Sequence, residues 1–301
     1  MPHPIDDPRR LLNPAPRADT GGRLPREPYV TEWARTPGRS QYVRGQNFTV
    51  SLTPLGPGEA VEESDVPDEH IVLLTQEGVR LSVSCPSGQA VLDEPGVVIV
   101  PPGGGTVTAD RECTVLKVFS GLAGAVQERA ANTALYDSPD PAVAPLPRHS
   151  PAARPTGPVV HRMSTVSEDP ARLGRIFRTS NLMINWFPRQ EGPRDPEKLS
   201  PHVHDDFEQG SVTLAGDFVH HFRTPWTPRL SEWREDAHVP CQSPSVAVIP
   251  PGVVHTTRAV HDGDHDLIDV FAPPRRDFLE QGWVLNAADY PVDPAPQGGA
   301  M

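Results

Sequence analysis

The feature that most constrains this chain is an internal repeat. Five segments of the first half recur in the same order in the second. Residues 47–52 (Asn-Phe-Thr-Val-Ser-Leu) resemble 181–187 (Asn-Leu-Met-Ile-Asn-Trp-Phe), and 73–78 (Leu-Leu-Thr-Gln-Glu-Gly) resemble 211–216 (Ser-Val-Thr-Leu-Ala-Gly). Residues 96–103 (Gly-Val-Val-Ile-Val-Pro-Pro-Gly) resemble 245–252 (Ser-Val-Ala-Val-Ile-Pro-Pro-Gly). Residues 115–119 resemble 267–271, and 132–136 (Asn-Thr-Ala-Leu-Tyr) resemble 286–290 (Asn-Ala-Ala-Asp-Tyr). The offsets are 134, 138, 149, 152 and 154, rising in chain order. Chance yields one such match; five collinear ones point to a duplicated unit with insertions in the second copy. The 301 residues therefore read as two tandem domains.

The repeated segments are short, rich in β-branched residues and closed by Gly or Pro turns, as strands are. The 38 prolines and 24 glycines disfavour a helical bundle. The fold class expected is all-β with few short helices, one of them at 123–134. The divisions expected are an arm at 1–40, a first domain at 41–137, a Pro-rich linker at 138–158 and a second domain at 159–295.

Charge narrows the partners. Lys and Arg number 27 against 39 Asp and Glu, a net charge of −12, which argues against nucleic acid and anionic membranes. The sequence has no apolar run of 18 residues and no apolar stretch near its start, so neither a membrane span nor a secretory signal is expected. Three scattered cysteines fit reduced thiols in a cytoplasmic protein.

The chemistry concentrates in the second copy. His202 and His204 stand at i and i+2, so on a strand both point to one face. Glu208 follows, and a Pro250-Pro251-Gly252 turn feeds His255. Three imidazoles and a carboxylate suit Fe(II), Mn, Co, Ni, Cu or Zn, and leave two positions of an octahedral ion open. The pattern His-x-His-x3-Glu-x7-Gly (202, 204, 208, 216), then Pro-x-Gly-x2-His (250, 252, 255), resembles the two motifs of the cupin superfamily. With the duplication, the resemblance covers residues 42–295 and makes the chain similar to a bicupin. It implies two double-stranded β-helix barrels of jelly-roll type with a metal inside, and dimerisation through barrel edges. The gap from Glu208 to Gly216 is one residue longer than the commonest family spacing.

In the first copy, aligning Gly78 with Gly216 sets Ser64, Val66 and His70 against His202, His204 and Glu208, and Thr106 against His255. That copy is read as a degenerate cupin without metal. Other polar residues have plainer readings. His220 and His221 adjoin on a strand and face opposite sides. His238, His261 and His265 fall in polar loop sequence. Asp269, opposite Lys117 in the repeat, reads as an outward charge. Arg223, Gln209 and Asn181 are pocket groups only if their strands turn them inward. The segment 224–244, with Trp226 and Trp233, is a candidate loop over the barrel mouth.

The function expected is a metal-dependent enzyme acting on a small molecule: a non-haem dioxygenase with Fe(II) favoured, Mn, Ni, Co, Cu or Zn being possible. His202, His204, Glu208 and His255 are the expected ligands, and Glu208 doubles as a catalytic proton acceptor. The alternatives are a redox-neutral isomerase, lyase or hydrolase at the same metal, and a non-catalytic small-ligand binder. A homodimer is expected.

Overall fold

The structure is a computed structural model that describes residues 7–8, 23–147, 154–167 and 169–291. Half of the expected arm (1–6, 9–22), the middle of the expected linker (148–153), residue 168 and the end of the chain (292–301) lie outside the described residues. The strands of the first half are β1 (Tyr29–Glu32), β2 (Gln41–Arg44), β3 (Phe48–Leu55), β4 (Ala60–Ser64), β5 (His70–Leu74), β6 (Leu81–Cys85), β7 (Gly88–Leu92), β8 (Gly96–Val100), β9 (Gly104–Ala109) and β10 (Cys113–Ser120). Those of the second half are β11 (Val159–Arg162), β12 (Arg175–Arg178), β13 (Met183–Trp186), β14 (Gln190–Glu191), β15 (Gln209–Ala215), β16 (Asp217–Arg223), β17 (Ala237–Gln242), β18 (Ser245–Ile249), β19 (Val254–Val260) and β20 (Asp264–Phe271). Among the described residues, helix is confined to α1 (Gly124–Gln127), α2 (Arg276–Glu280) and a few 3-10 turns. The helix expected over 123–134 shrinks to α1; its start has no side-chain cap, and its buried Val126 packs in a small cluster with Tyr42, Val66 and Phe119.

The duplication is visible strand by strand. One sheet runs β11-β8-β5-β10-β3-β2 and the other β1-β18-β15-β20-β13-β12, with β14 added beside β20. Smaller sheets, β4-β9-β6-β7 and β17-β16-β19, complete the two barrels. The outer strands are exchanged: β1 pairs antiparallel with β18 of the second barrel, and β11 pairs antiparallel with β8 of the first. Each half thus supplies an edge strand to the other, which covers an otherwise open sheet edge.

The two large sheets pack on each other and share one core. Leu116 and Val118 of β10 face Ile268 and Val270 of β20 within it, while Val115 turns the other way into the first barrel. Burial on both faces explains why β5, β8 and β18 read as unbroken apolar runs instead of alternating ones. Each buried Val, Leu or Ile contributes about 1.5–3 kcal/mol. The fold is all-β, two jelly-roll barrels built back to back.

Candidate metal centre and its cavity

The ligand-bearing segments are tied together through their backbones. His202 N–H donates to His255 O at 3.0 Å, and His255 N–H returns to His202 O at 2.8 Å. Gly252, at φ 84°, donates its N–H to His204 O at 2.7 Å. A side chain would strain that turn, so the glycine fixes the second motif against the first.

The three imidazoles converge: one nitrogen from each of His202, His204 and His255 lies within 4.8 Å of the others. Nδ1 of His202 bonds Ser200 O at 3.0 Å, and Nδ1 of His255 bonds Val253 O at 3.0 Å. A carbonyl only accepts, so both rings carry the proton on Nδ1 and the lone pair on Nε2. His204 stacks on Phe207 and meets Phe271 edge-on.

Glu208 does not join this group. Its carboxylate accepts from the Gln46 backbone N–H and from the Tyr136 hydroxyl at 3.1 Å, both in the first half of the chain. Burial pushes its pKa up to about 7, against the pull of those two donors. The expected ligand and proton acceptor therefore faces away from the histidines. Gln209 takes the inward place. Its Oε1 lies 2.9 Å from His204 Nε2, its Nε2 donates to Ser211 Oγ at 2.9 Å, and Ser211 donates to Asp269 Oδ1 at 2.7 Å. The carboxylate accepts, so the hydroxyl must accept in turn, and the amide oxygen is left facing the histidines. The signal was in the spacing: His204-x4-Gln209-x6-Gly216 removes the extra residue that Glu208 required.

A cavity of about 180 Å³ adjoins the cluster, lined by His202, His255 and Gln209 together with Arg194, Thr257 and Asp269. Asp269 is 7% exposed and faces this interior, a correction to the outward reading, since Ser211 and Asp269 are paired across β15 and β20. His265, expected in solvent, is buried, lines the same cavity and bonds Val260 O at 2.8 Å. Its ring lies where a Cβ on Gly216 (φ 82°) would come to 2.3 Å. Arg194 and Thr257 carried no motif. The Ser200 hydroxyl accepts from Arg194 at 2.9 Å and donates to Asp7, which brings one residue of the expected arm beside the site. Trp226 and Trp233 stack on each other at 4.1 Å on the surface and are not among the cavity-lining residues; part of the expected mouth loop is instead strand β17. His220 is buried and His221 half-buried, on opposite faces as read. Arg223 pairs with Asp236 on the surface, and Asn181 bonds Asp68 between the halves.

In the first barrel the register sets His70 at the place of Gln209, not of Glu208, and Glu69 at that of Glu208. His70 pairs with Val100 and Phe119 as Gln209 pairs with Ile249 and Phe271. Aligning the glycine turns had displaced this strand by one residue. Lys117, in the place of Asp269, binds Glu63 at 2.7 Å inside the barrel, and Glu63 also accepts from Arg129 and Tyr42. Burial pulls the Lys117 pKa down; for Glu63 it pushes up, but the two cations more than offset it and hold the carboxylate below its usual range.

No protein-family profile matches the sequence. No curated protein is significantly similar to it. Solved structures share the fold. The formate complex of oxalate decarboxylase from Lactobacillus farciminis aligns with TM-score 0.54 at 14% identity, over 90% of this chain and 89% of that one. An IolB-like protein from Salmonella typhimurium gives 0.53 at 11%, over 82% and 93%. AerE from Microcystis aeruginosa gives 0.52 at 10%, over 84% and 100%. At these identities the likeness is one of fold, and that fold is the bicupin.

Proposed function

Taking the bicupin fold of this chain as premise, we propose that its second barrel is a metal-dependent enzyme acting on a small organic substrate with an oxygen donor. Non-haem Fe(II) dioxygenase chemistry is the first assignment. The observation that carries the reading is the convergence of three imidazole nitrogens within 4.8 Å beside a small cavity. His202, His204 and His255 would hold the ion, with Gln209 Oε1 as the fourth donor; such a set suits Fe(II), Mn, Co, Ni, Cu or Zn. When bound, the ion supplies Lewis acidity and, if iron, electrons for dioxygen chemistry.

The chain's own groups do the rest. Ser200 and Val253 carbonyls orient two of the rings, and Phe207 and Phe271 keep water from His204. Asp269 is the one carboxylate among the described cavity-lining residues, so it replaces Glu208 as the group placed to accept a substrate proton. The test is oxygen uptake by Fe(II)-loaded protein with enolisable, phenolic and carboxylic substrates. Uptake matched to substrate loss supports the oxygenase.

A second reading, redox-neutral chemistry, is favoured by the uncharged donor set, which leaves the ion its full charge as a Lewis acid. The fold neighbour from L. farciminis is named for a decarboxylation. Turnover that persists without oxygen and with Zn in place of Fe selects this reading. Stoichiometric binding without turnover selects a ligand-binding protein instead.

A further inference from the structure

One polar pair, Thr257 in the cavity wall and His220 behind it, plays no part in the ligand set. Thr257 follows His255 by two residues on β19, so both side chains are on the same face of the strand, and both line the cavity. Across the sheet Thr257 is paired with His220 of β16, whose Nδ1 lies 2.9 Å from the Thr257 Oγ1. His220 is 0% exposed, and its Nε2 has no hydrogen-bond partner.

Two arrangements of that hydrogen bond are possible in chemistry, and they differ in what they strand. If Thr257 donates to Nδ1, the ring keeps its proton on Nε2 and buries an N–H with no acceptor. If Nδ1–H donates to Thr257, the ring buries only a lone pair. Orphaned buried N–H groups are the rarer and costlier case. His220 is therefore the donor, and the Thr257 hydroxyl hydrogen is left for the cavity. Arg194 flanks the same residue: its Nη1 donates to Thr257 O at 3.1 Å and its backbone N–H to Ala259 O at 3.0 Å. With three neutral imidazoles and a neutral amide around a divalent ion, the ion's two charges and that of Arg194 exceed the two negative charges of Asp269 and Asp7.

We propose that the Thr257 hydroxyl, turned to the cavity by His220, is the donor that positions a small anionic ligand, a carboxylate or enolate, beside the three-histidine cluster. Arg194 supplies balancing charge at the same wall. The proposal rests on the metal reading above and adds the chemical class of the ligand and the residue that orients it.

The experiment uses full-length protein loaded with Co(II), whose visible ligand-field band reports the ion's surroundings, and acetate as the probe anion. Wild type, T257V, T257S and H220F are titrated with acetate. All four are expected to hold about one equivalent of Co(II). The acetate Kd is expected to rise about tenfold in T257V, which loses a hydrogen bond to a charged group, and to stay within about twofold in T257S. H220F is expected to weaken acetate less than T257V does, because the hydroxyl remains but loses its fixed direction. Acetate binding to T257V as tight as to wild type overturns the proposal, and so does a wild-type band that acetate leaves unchanged. If no Co(II) band forms before acetate is added, the metal reading itself fails and the proposal falls with it; the order of addition separates the two failures.

Discussion

Glu69 and Glu208 hold equivalent places in the two copies, and each clasps the opposite half of the chain. Glu208 accepts from the Gln46 N–H and the Tyr136 hydroxyl. Glu69 accepts from the Ser180 N–H at 2.9 Å and the Tyr290 hydroxyl at 2.7 Å. The tyrosines close the repeated segments 132–136 and 286–290, and each ring carries an arginine, Arg44 over Tyr136 and Arg178 over Tyr290. The chain has thus built the same two-point clasp twice, once in each direction across the shared core.

This arrangement predicts separate outcomes for neighbouring residues. Glu208→Ala and Glu69→Ala each leave a buried N–H and a tyrosine hydroxyl without an acceptor, at a cost of about 2–4 kcal/mol. Urea or guanidinium midpoints should fall for both. Metal content after loading should remain as in wild type for both. A Glu208→Ala protein that folds but no longer retains metal would restore Glu208 to the ligand set.

Gln209 should behave the opposite way. Gln209→Ala removes the inward oxygen and should weaken Co(II) or Mn(II) about 10- to 100-fold, with little change in the unfolding midpoint. Ser211→Ala and Asp269→Asn, which release the amide's orientation, should cost up to about tenfold. Competition with a chromogenic chelator gives these affinities directly. Equal affinity in wild type and Gln209→Ala would show that the amide is a neighbour of the site and not part of it.

The contrast between residues 208 and 209 marks how far the sequence is legible. The repeat, the all-β class, both motif turns and the three histidines follow from spacing, because strand periodicity and Gly or Pro turns are local properties. Which of two adjacent polar residues faces inward is not local. A one-residue displacement of a strand exchanges its faces, and the glycine turns at Gly78 and Gly216 stand at different distances from His70 and Gln209. Asp269 departs from its outward reading for a related reason: a charge in a strand suggests solvent, yet both large sheets are buried on both faces, and the charges of Asp269 and Lys117 are held by Ser211 and Glu63. The strand exchange left no trace in composition. Four-residue β1 and β11 gain their identity from the edges they cover.

His70 predicts an acid-labile first barrel. It is fully buried against Phe119, and burial, with Lys117 nearby, pulls its pKa from the ordinary range to about 3. The folded form therefore keeps it neutral while the unfolded chain takes a proton below about pH 6.5. A depressed folded pKa means that its stability is fully present above the unfolded pKa and is lost as pH falls from about 6.5 toward 3. The loss is on the order of a few kcal/mol. His70→Phe should flatten this part of the curve. The measurement is the unfolding free energy of wild type minus that of His70→Phe at intervals across the window. A difference that stays constant from neutral to acid would show that His70 does not titrate with folding.

The Lys117–Glu63 pair gives the last prediction. The two side chains are 1% and 4% exposed, and they meet at 2.7 Å inside the first barrel, at the level where the second barrel has Asp269. Removing one member of such a pair leaves the other charged and buried, so Lys117→Met should cost about 3–5 kcal/mol. Arg129 and Tyr42 still reach Glu63, which places the effect toward the lower end of that range. Removing both charges is a different perturbation. Lys117→Met with Glu63→Gln should recover most of the loss, because hydrophobic or neutral replacement of a buried pair is often neutral. The double-variant cycle, read by denaturant midpoint, measures the coupling. The two large sheets lie between this pair and the histidines, so none of the three variants should change how much metal the second barrel holds. Loss of metal in the single variant with normal metal in the double would instead show that strain in the first barrel reaches the site through the shared core.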